Sequence, residues 1–345
     1  MKKKNIIKKL LSVALSAATM FSLLTLPAHA IVPGEDAYGQ TYTLMRYDVA
    51  SGISVPVEIP DYYGMSGGAS SYAYLSDSEL ANVQQAVSTN AVIGEDDRIP
   101  MVGTTAPYSG VVLIIQYYDT DDDGIADDYI DSTGFLVGQK VIVASMHGLF
   151  ETAVGESWVT VETRVYRMES YMVPSGTTKW DALTYLEGRP YDRITSVLYD
   201  PQYFSSLPAN DAFAYDWSVC TLADGFDSYY FECDVLPETA DGLPIQVAGY
   251  PSDRRFRLNN AQGYVVNACD GGLTIPNLFS FDADMENGQS GGPVYYHEGT
   301  EIVCYGINIA EYDEGIGDTD NMNYARRINA EILNAIAAQR IEAGN

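Results

Sequence analysis

From Ala91 onward one pattern recurs along the chain: short runs rich in Val, Ile and Tyr, separated by turn residues, with no long helical pattern between them. The runs cover 110–116, 133–144, 158–167, 217–222, 245–250, 263–268, 292–296 and 302–309. Only 323–343 has helical spacing, with Ile328, Ile332, Leu333 and Ile336 on one face. A chain built this way predicts an all-β body of about 250 residues, enough for two barrels or sandwiches, closed by a C-terminal helix.

What precedes that body is different in kind. Residues 1–30 combine a lysine-rich start, an apolar run from Leu10 to Leu26, and small residues around His29 at Ala28 and Ala30. This is the layout of a secretory signal peptide, so the product is expected outside the cell, with no further segment to insert in a membrane. Residues 31–90 are dominated by Tyr, Ser, Gly and Pro; 65–71 reads as a linker, and Asp77 is placed to cap a short helix through Val87. Removing the leader takes away five lysines and no acid, which leaves 14 bases against 47 acids, a formal charge of −33. A surface of that sign excludes nucleic acid and anionic membrane as partners held through a basic face. Four cysteines (Cys220, Cys233, Cys269 and Cys304) lie in a chain expected where disulfides persist. They allow three pairings and show no zinc-site spacing; the short Cys220–Cys233 loop is the favoured pair, with unpaired buried thiols as the alternative.

Gly288-Gln289-Ser290-Gly291-Gly292-Pro293 is the sharpest chemical motif. Glycines on both sides let the backbone turn tightly, so that the serine oxygen projects and neighbouring N–H groups converge on one point. The same letters fit the elbow of α/β-hydrolases, but that fold needs an acid and then a histidine after the serine, on alternating strands and helices. Here only His297 follows, seven residues on, in what reads as a hairpin turn. The opposite order is available. His147 ends a strand-turn-strand segment that begins at Gly134, and Asp216 precedes the apolar strand that starts at Trp217. His147, Asp216 and Ser290 thus occur in the order of a general base, its orienting acid and a nucleophile.

Together these segments resemble the glutamyl endopeptidase-like branch of the chymotrypsin-fold serine proteases, from about Val92 to Ile336. The resemblance rests on 92–98, 134–147, Tyr215-Asp216-Trp217, 247–251, Phe281 to Asp284 leading into 288–294, and Arg327-Ile328. It implies two Greek-key β-barrels with the site between them: the first, 91–225, carrying His147 and Asp216, and the second, 226–345, carrying Ser290 and the C-terminal helix. It also implies an oxyanion hole from the N–H groups of Gly288 and Ser290. Residues 31–90 become a propeptide cut near Asn90 or Ala91, and the protein a monomeric endopeptidase acting on proteins or peptides without a catalytic cofactor. Trypsin-like zymogens switch on an aspartate just before the serine. This chain has Gln289 there, so its new terminus is expected to act near the primary specificity pocket instead.

The residues expected at that pocket are Asp284, Met285, Asn308 and Glu311. Asn308, in Gly306-Ile307-Asn308, stands where glutamate-specific members carry a histidine, so glutamate preference does not transfer. Asp284 occupies the place where trypsin-like enzymes hold the acid that receives Arg or Lys. Separately, 119–128 is an acidic loop. Asp119, Asp121, Asp123 and Asp127, the carbonyl of Ile125 and the nearby Asp131 form a candidate site for one structural calcium ion. A rival reading keeps the same fold as a non-catalytic, calcium-dependent binding or adhesion module.

Overall fold

The structure, a computed structural model, describes residues 41–64, 92–93, 95–119, 126, 128–150, 159–168, 173, 177–204, 212–269, 277–312 and 322–344. The leader, the 65–71 linker and the helix expected from Asp77 lie outside them.

A hairpin opens the described chain, β1 (Thr41–Asp48) and β2 (Ile53–Pro60), followed by a two-residue strand, β3 (Ile99–Pro100). Next come β4 (Val111–Asp119), β5 (Asp128–Gly138), β6 (Val141–Ala144) and β7 (Val159–Tyr166). A short helix, α1 (Lys179–Leu186), leads to β8 (Asp192–Tyr199) and β9 (Ser218–Leu222). Strands run in the order β8-β7-β4-β5-β6-β9, and β9 pairs back to β8, so six antiparallel strands close a barrel.

The second half repeats the device. It contains β10 (Glu232–Cys233), β11 (Pro244–Gly249), β12 (Asn259–Asn267), β13 (Leu278–Phe281), β14 (Pro293–Glu298), β15 (Glu301–Tyr312) and β16 (Met322–Arg327). The order β15-β14-β11-β12-β13-β16 closes through β15 and β16. Closure pairs the first and last strands of the path with each other and so removes most of the free edge through which all-β chains associate.

Alternation along β4 shows why its sequence is an unbroken apolar run. Val112 and Ile114 face the first barrel's interior with Leu136, Ile142 and Val197. Val111, Leu113 and Ile115 belong to a second core that includes Tyr250 and Tyr295 of the other barrel and Ile332 of the last helix. Both faces are buried, so no polar alternation survives. The second barrel has its own interior of Val247, Val265, Phe279, Phe281, Ala283, Met285 and Val294.

Two expectations are corrected. The helical pattern at 323–343 splits: 322–327 is strand β16, and the helix α2 runs Ala330–Ala343. Asn329 caps it by accepting from the Ile332 N–H at 3.1 Å, and Gly344, at φ +74°, ends it. Cys220 does not meet Cys233. It is sealed in the first barrel between β6 and β8, whereas Cys233 pairs in register with Cys304 in the other sheet. The hairpin β1–β2 is an addition that the sequence did not announce: β1 pairs antiparallel with β8 and extends the first sheet, burying Leu44 and Ile59.

Candidate active site

His147 lies just past β6, and Asp216 closes a single 3-10 turn formed by Phe213–Tyr215. Because β6 pairs with β9, the residues flanking the two strands are brought together. The Asp216 carboxylate grips His147 twice, accepting from its backbone N–H at 2.9 Å and meeting ring Nδ1 at 2.5 Å. Asp216 is about 1 % exposed and the His147 side chain about 37 %, so the carboxylate is shielded while the ring is part-exposed. An ionised carboxylate only accepts, so Nδ1 carries the proton and Nε2 is left with the lone pair.

Ser290 lies on the loop between β13 and β14, in the second barrel. First-barrel residues hold that loop directly. The Thr133 N–H donates to the Ser290 carbonyl at 2.8 Å, and its hydroxyl donates to the Gly288 carbonyl at 2.6 Å and accepts from the Tyr250 N–H at 2.9 Å. Gly291 fits so closely that a Cβ there would stand 2.1 Å from the Thr133 carbonyl and 2.8 Å from the Ser145 N–H. Ser145 is two residues before His147, so the histidine turn and the serine loop are in contact across the barrel boundary.

The loop's N–H groups divide into two sets. Gln289 donates to Glu286, Gly291 to Asn308 and Gly292 to Gln289, at 3.0, 2.6 and 3.0 Å. The N–H groups of Gly288 and Ser290, expected to form the oxyanion hole, have no such partner among the described residues. Gly288 and Gly291 take φ of +84° and +86°, which only glycine adopts without strain and which turn the loop inward. What results is a nucleophile candidate, a candidate base and two N–H donors without a backbone partner among the described residues, the kinds of group that acyl transfer uses.

The four residues expected at a specificity pocket are placed unequally. Asp284, about 3 % exposed, accepts from the Ile93 N–H at 2.6 Å and the Asp97 N–H at 2.8 Å. Its carboxylate is therefore committed to the chain just past the expected processing point, rather than open to a substrate cation. Met285 is buried in the second barrel's interior. Asn308 is buried too and braces the serine loop, its Nδ2 donating to the Gln289 carbonyl at 3.1 Å. Glu311 pairs with Asn323 along β15, and its side chain lies outside the described residues.

Of the candidate calcium ligands, Asp121, Asp123, Ile125 and Asp127 fall outside the described residues. Asp131 is displaced from that loop. It stands opposite Ile115, four positions along β4 from Asp119, and its Oδ2 accepts from the Ser252 hydroxyl at 2.8 Å. At about 3.4 Å per residue the two aspartates are too far apart to share an ion. Asp131, Thr133 and Ser252 are site supports that sequence reasoning missed. They sit inside ordinary strand and turn patterns, and only the packing of one barrel on the other gives them a task.

No protein-family model and no curated protein matches this chain. A solved Glu endopeptidase, determined in complex with MPD, superposes with a TM-score of 0.52 at 19 % identity, over 72 % of this chain and 99 % of that one. This chain has the chymotrypsin-like fold. Within that fold a second structure, the protease Anisep from Arthrobacter nicotinovorans, matches at a TM-score of 0.46 and 13 % identity, over 70 % of this chain and 98 % of that one.

Proposed function

We propose that the protein is a secreted serine endopeptidase, made as a precursor, that cleaves peptide bonds through an acyl-enzyme. The observation that carries this reading is the double grip of Asp216 on His147, beside a serine loop with two uncommitted N–H donors. His147 Nε2 takes the proton from Ser290 Oγ as the oxygen attacks the scissile carbonyl. The carbonyl oxygen becomes negative and is received by the N–H groups of Gly288 and Ser290. His147, now an imidazolium held by Asp216, gives its proton to the leaving amine, and water then repeats the sequence on the ester. Donors held in place before the reaction need no reorganisation as the charge develops.

The precursor form is supported by how the segment after the expected cut is tied down. Besides the two amide bonds to Asp284, Arg98 forms paired hydrogen bonds with Asp96 and with Asp253, and Arg254 donates to the Arg98 carbonyl at 3.0 Å. Next to Asp253, Ser252 donates its N–H to the Asn287 carbonyl at 2.7 Å, on the serine loop. Ile93, Asp97 and Arg98 therefore brace the loop from two sides.

A fluorophosphonate probe and a casein digest test the proposal. Wild type labels at Ser290 and cuts casein, while Ser290→Ala does neither, a fall of at least about a thousandfold. Failure of the correctly folded, processed wild type to label or cut would leave the binding-module reading instead.

A further inference from the structure

We propose that Cys233 and Cys304 are joined by a disulfide in the exported protein, stapling the link between the barrels to the second one. The two residues are register partners of the parallel pair β10–β15. Registered neighbours on adjacent strands have Cα atoms about 4.8 Å apart and side chains on the same face, within the 4.4–6.8 Å span that a disulfide bridges. Cys304 is the strongest influence on the titration of the Cys233 thiol, and its own thiol donates to the nearby Gly306 carbonyl at 3.3 Å. The remaining cysteines have no such opportunity: Cys220 is enclosed beside the Ser218 hydroxyl at 3.7 Å, and the exposed Cys269 sits against the Glu238 carbonyl at 3.6 Å.

The chemistry needs an oxidant, which is a small-molecule or protein disulfide. Cys233 is half-buried and Cys304 fully buried, so the oxidant meets Cys233 first. The Cys233 thiolate attacks the oxidant's disulfide, forming a mixed disulfide and releasing one thiol. The Cys304 thiolate then attacks Cys233 Sγ and releases the second, so two electrons and two protons pass from the protein to the oxidant. The Cys304 neighbour, and after it burial, hold the Cys233 thiol well above its ordinary range, so the first step is slow at neutral pH. The closed loop spans about 70 residues and includes the serine loop, the kind of long closure that restricts an unfolded chain most.

The full chain is equilibrated with oxidised and reduced glutathione at pH 8.5, denatured, alkylated without reductant and mapped by mass spectrometry. One cross-linked peptide pair should join Cys233 to Cys304, with Cys220 and Cys269 alkylated and the intact mass about 2 Da lower. Dithiothreitol should lower the Tm by about 10 °C in wild type and have no effect on Tm in Cys233→Ala or Cys304→Ala. Alkylation of both Cys233 and Cys304 after equilibration, a bond from either to Cys269, or glutathione retained on Cys233 would each overturn the assignment.

Discussion

At the scale of single residues the site depends on how closely two barrels approach, and Gly291 measures that approach. A methyl group there would stand 2.1 Å from the Thr133 carbonyl, and the residue's φ of +86° is strained for anything but glycine. Gly291→Ala must therefore push the serine loop away from the wall that carries His147. Misplacement of about 1 Å costs on the order of a hundredfold in rate, so kcat/KM and the fluorophosphonate labelling rate should both fall by at least that factor. Gly299→Ala is the control, because Gly299 also has positive φ but nothing lies within 4 Å of the added methyl. That variant should lose about 1 kcal/mol of stability and retain its rate. Asp216→Asn tests the other barrel. An amide can present its N–H to Nδ1 and so favour the wrong tautomer, which should lower kcat by roughly 10³–10⁴-fold with the fold retained by circular dichroism. The pairing of His147 with Asp216 could be anticipated from the sequence, because chemistry restricts which residue types can serve such a site and in what order. Thr133 could not, because a threonine in a strand looks the same whether its hydroxyl faces solvent or holds a loop.

Among the elements, legibility followed the burial pattern. Strand β4 was plain because both its faces are apolar, and α2 because its stripe has helical period. Strand β16 was misread because polar side chains, Asn323, Arg326 and Arg327, are buried in it beside Tyr324 and Ala325. Asn323 donates to the Ala283 carbonyl at 2.7 Å, and Arg327 to the Leu236 and Cys269 carbonyls at 2.6 and 3.1 Å. Such a strand lacks the alternation by which strands are recognised. The same region concentrates buried charge. Arg326 is fully enclosed, and burial lowers its guanidinium to about 10. Glu331, in the first turn of α2, is pushed up to about 7 by burial, with Asp200 adding to the shift and Arg326 opposing it. A carboxyl with a raised folded-state pKa binds its proton more tightly when folded, so its contribution to stability declines as pH rises from about 4.5 to about 7 and is flat above that. Glu331→Gln removes this slope. Thermal or urea melts of the two proteins between pH 5 and 8 should show the variant gaining on wild type by roughly 1–3 kcal/mol across that interval. Parallel curves would mean that Glu331 is already ionised and paired at pH 5.

For the whole molecule, the question is whether processing of the expected propeptide releases all of it. The resemblance makes 31–90 a single propeptide, and within it 41–64 is built into the body. Beyond the pairing of β1 with β8, Arg46 bridges to Glu342 on α2 at 2.6 Å, and Tyr199 donates to the Ser54 hydroxyl at 3.1 Å. Asn334 on α2 accepts from the Tyr62 N–H at 2.6 Å and donates to buried Asp61 at 3.0 Å. Leu44 and Ile59 together remove enough apolar surface from water to contribute roughly 3–6 kcal/mol, before the strand pairing is added. A cut between 65 and 91 would therefore sever the chain without releasing the hairpin. Native mass spectrometry of processed protein should find a fragment containing 41–64 bound to the body, and denaturing conditions should separate the two. Displacing the fragment, or deleting 31–64 from the start, would expose the edge of β8 and one side of α2, lowering the Tm by about 10 °C or more. If processed protein instead carries no fragment and melts where the precursor does, the hairpin is a removable cover and the first barrel stands without it. The segment carrying Ile93, Asp97 and Arg98 answers to a different test, because its anchors lie on the second barrel beside the serine loop. Losing it through Asp284→Ala should lower kcat and the labelling rate while costing less in Tm than loss of the hairpin. Activity and stability would thus be divided between two pieces of the same N-terminal region.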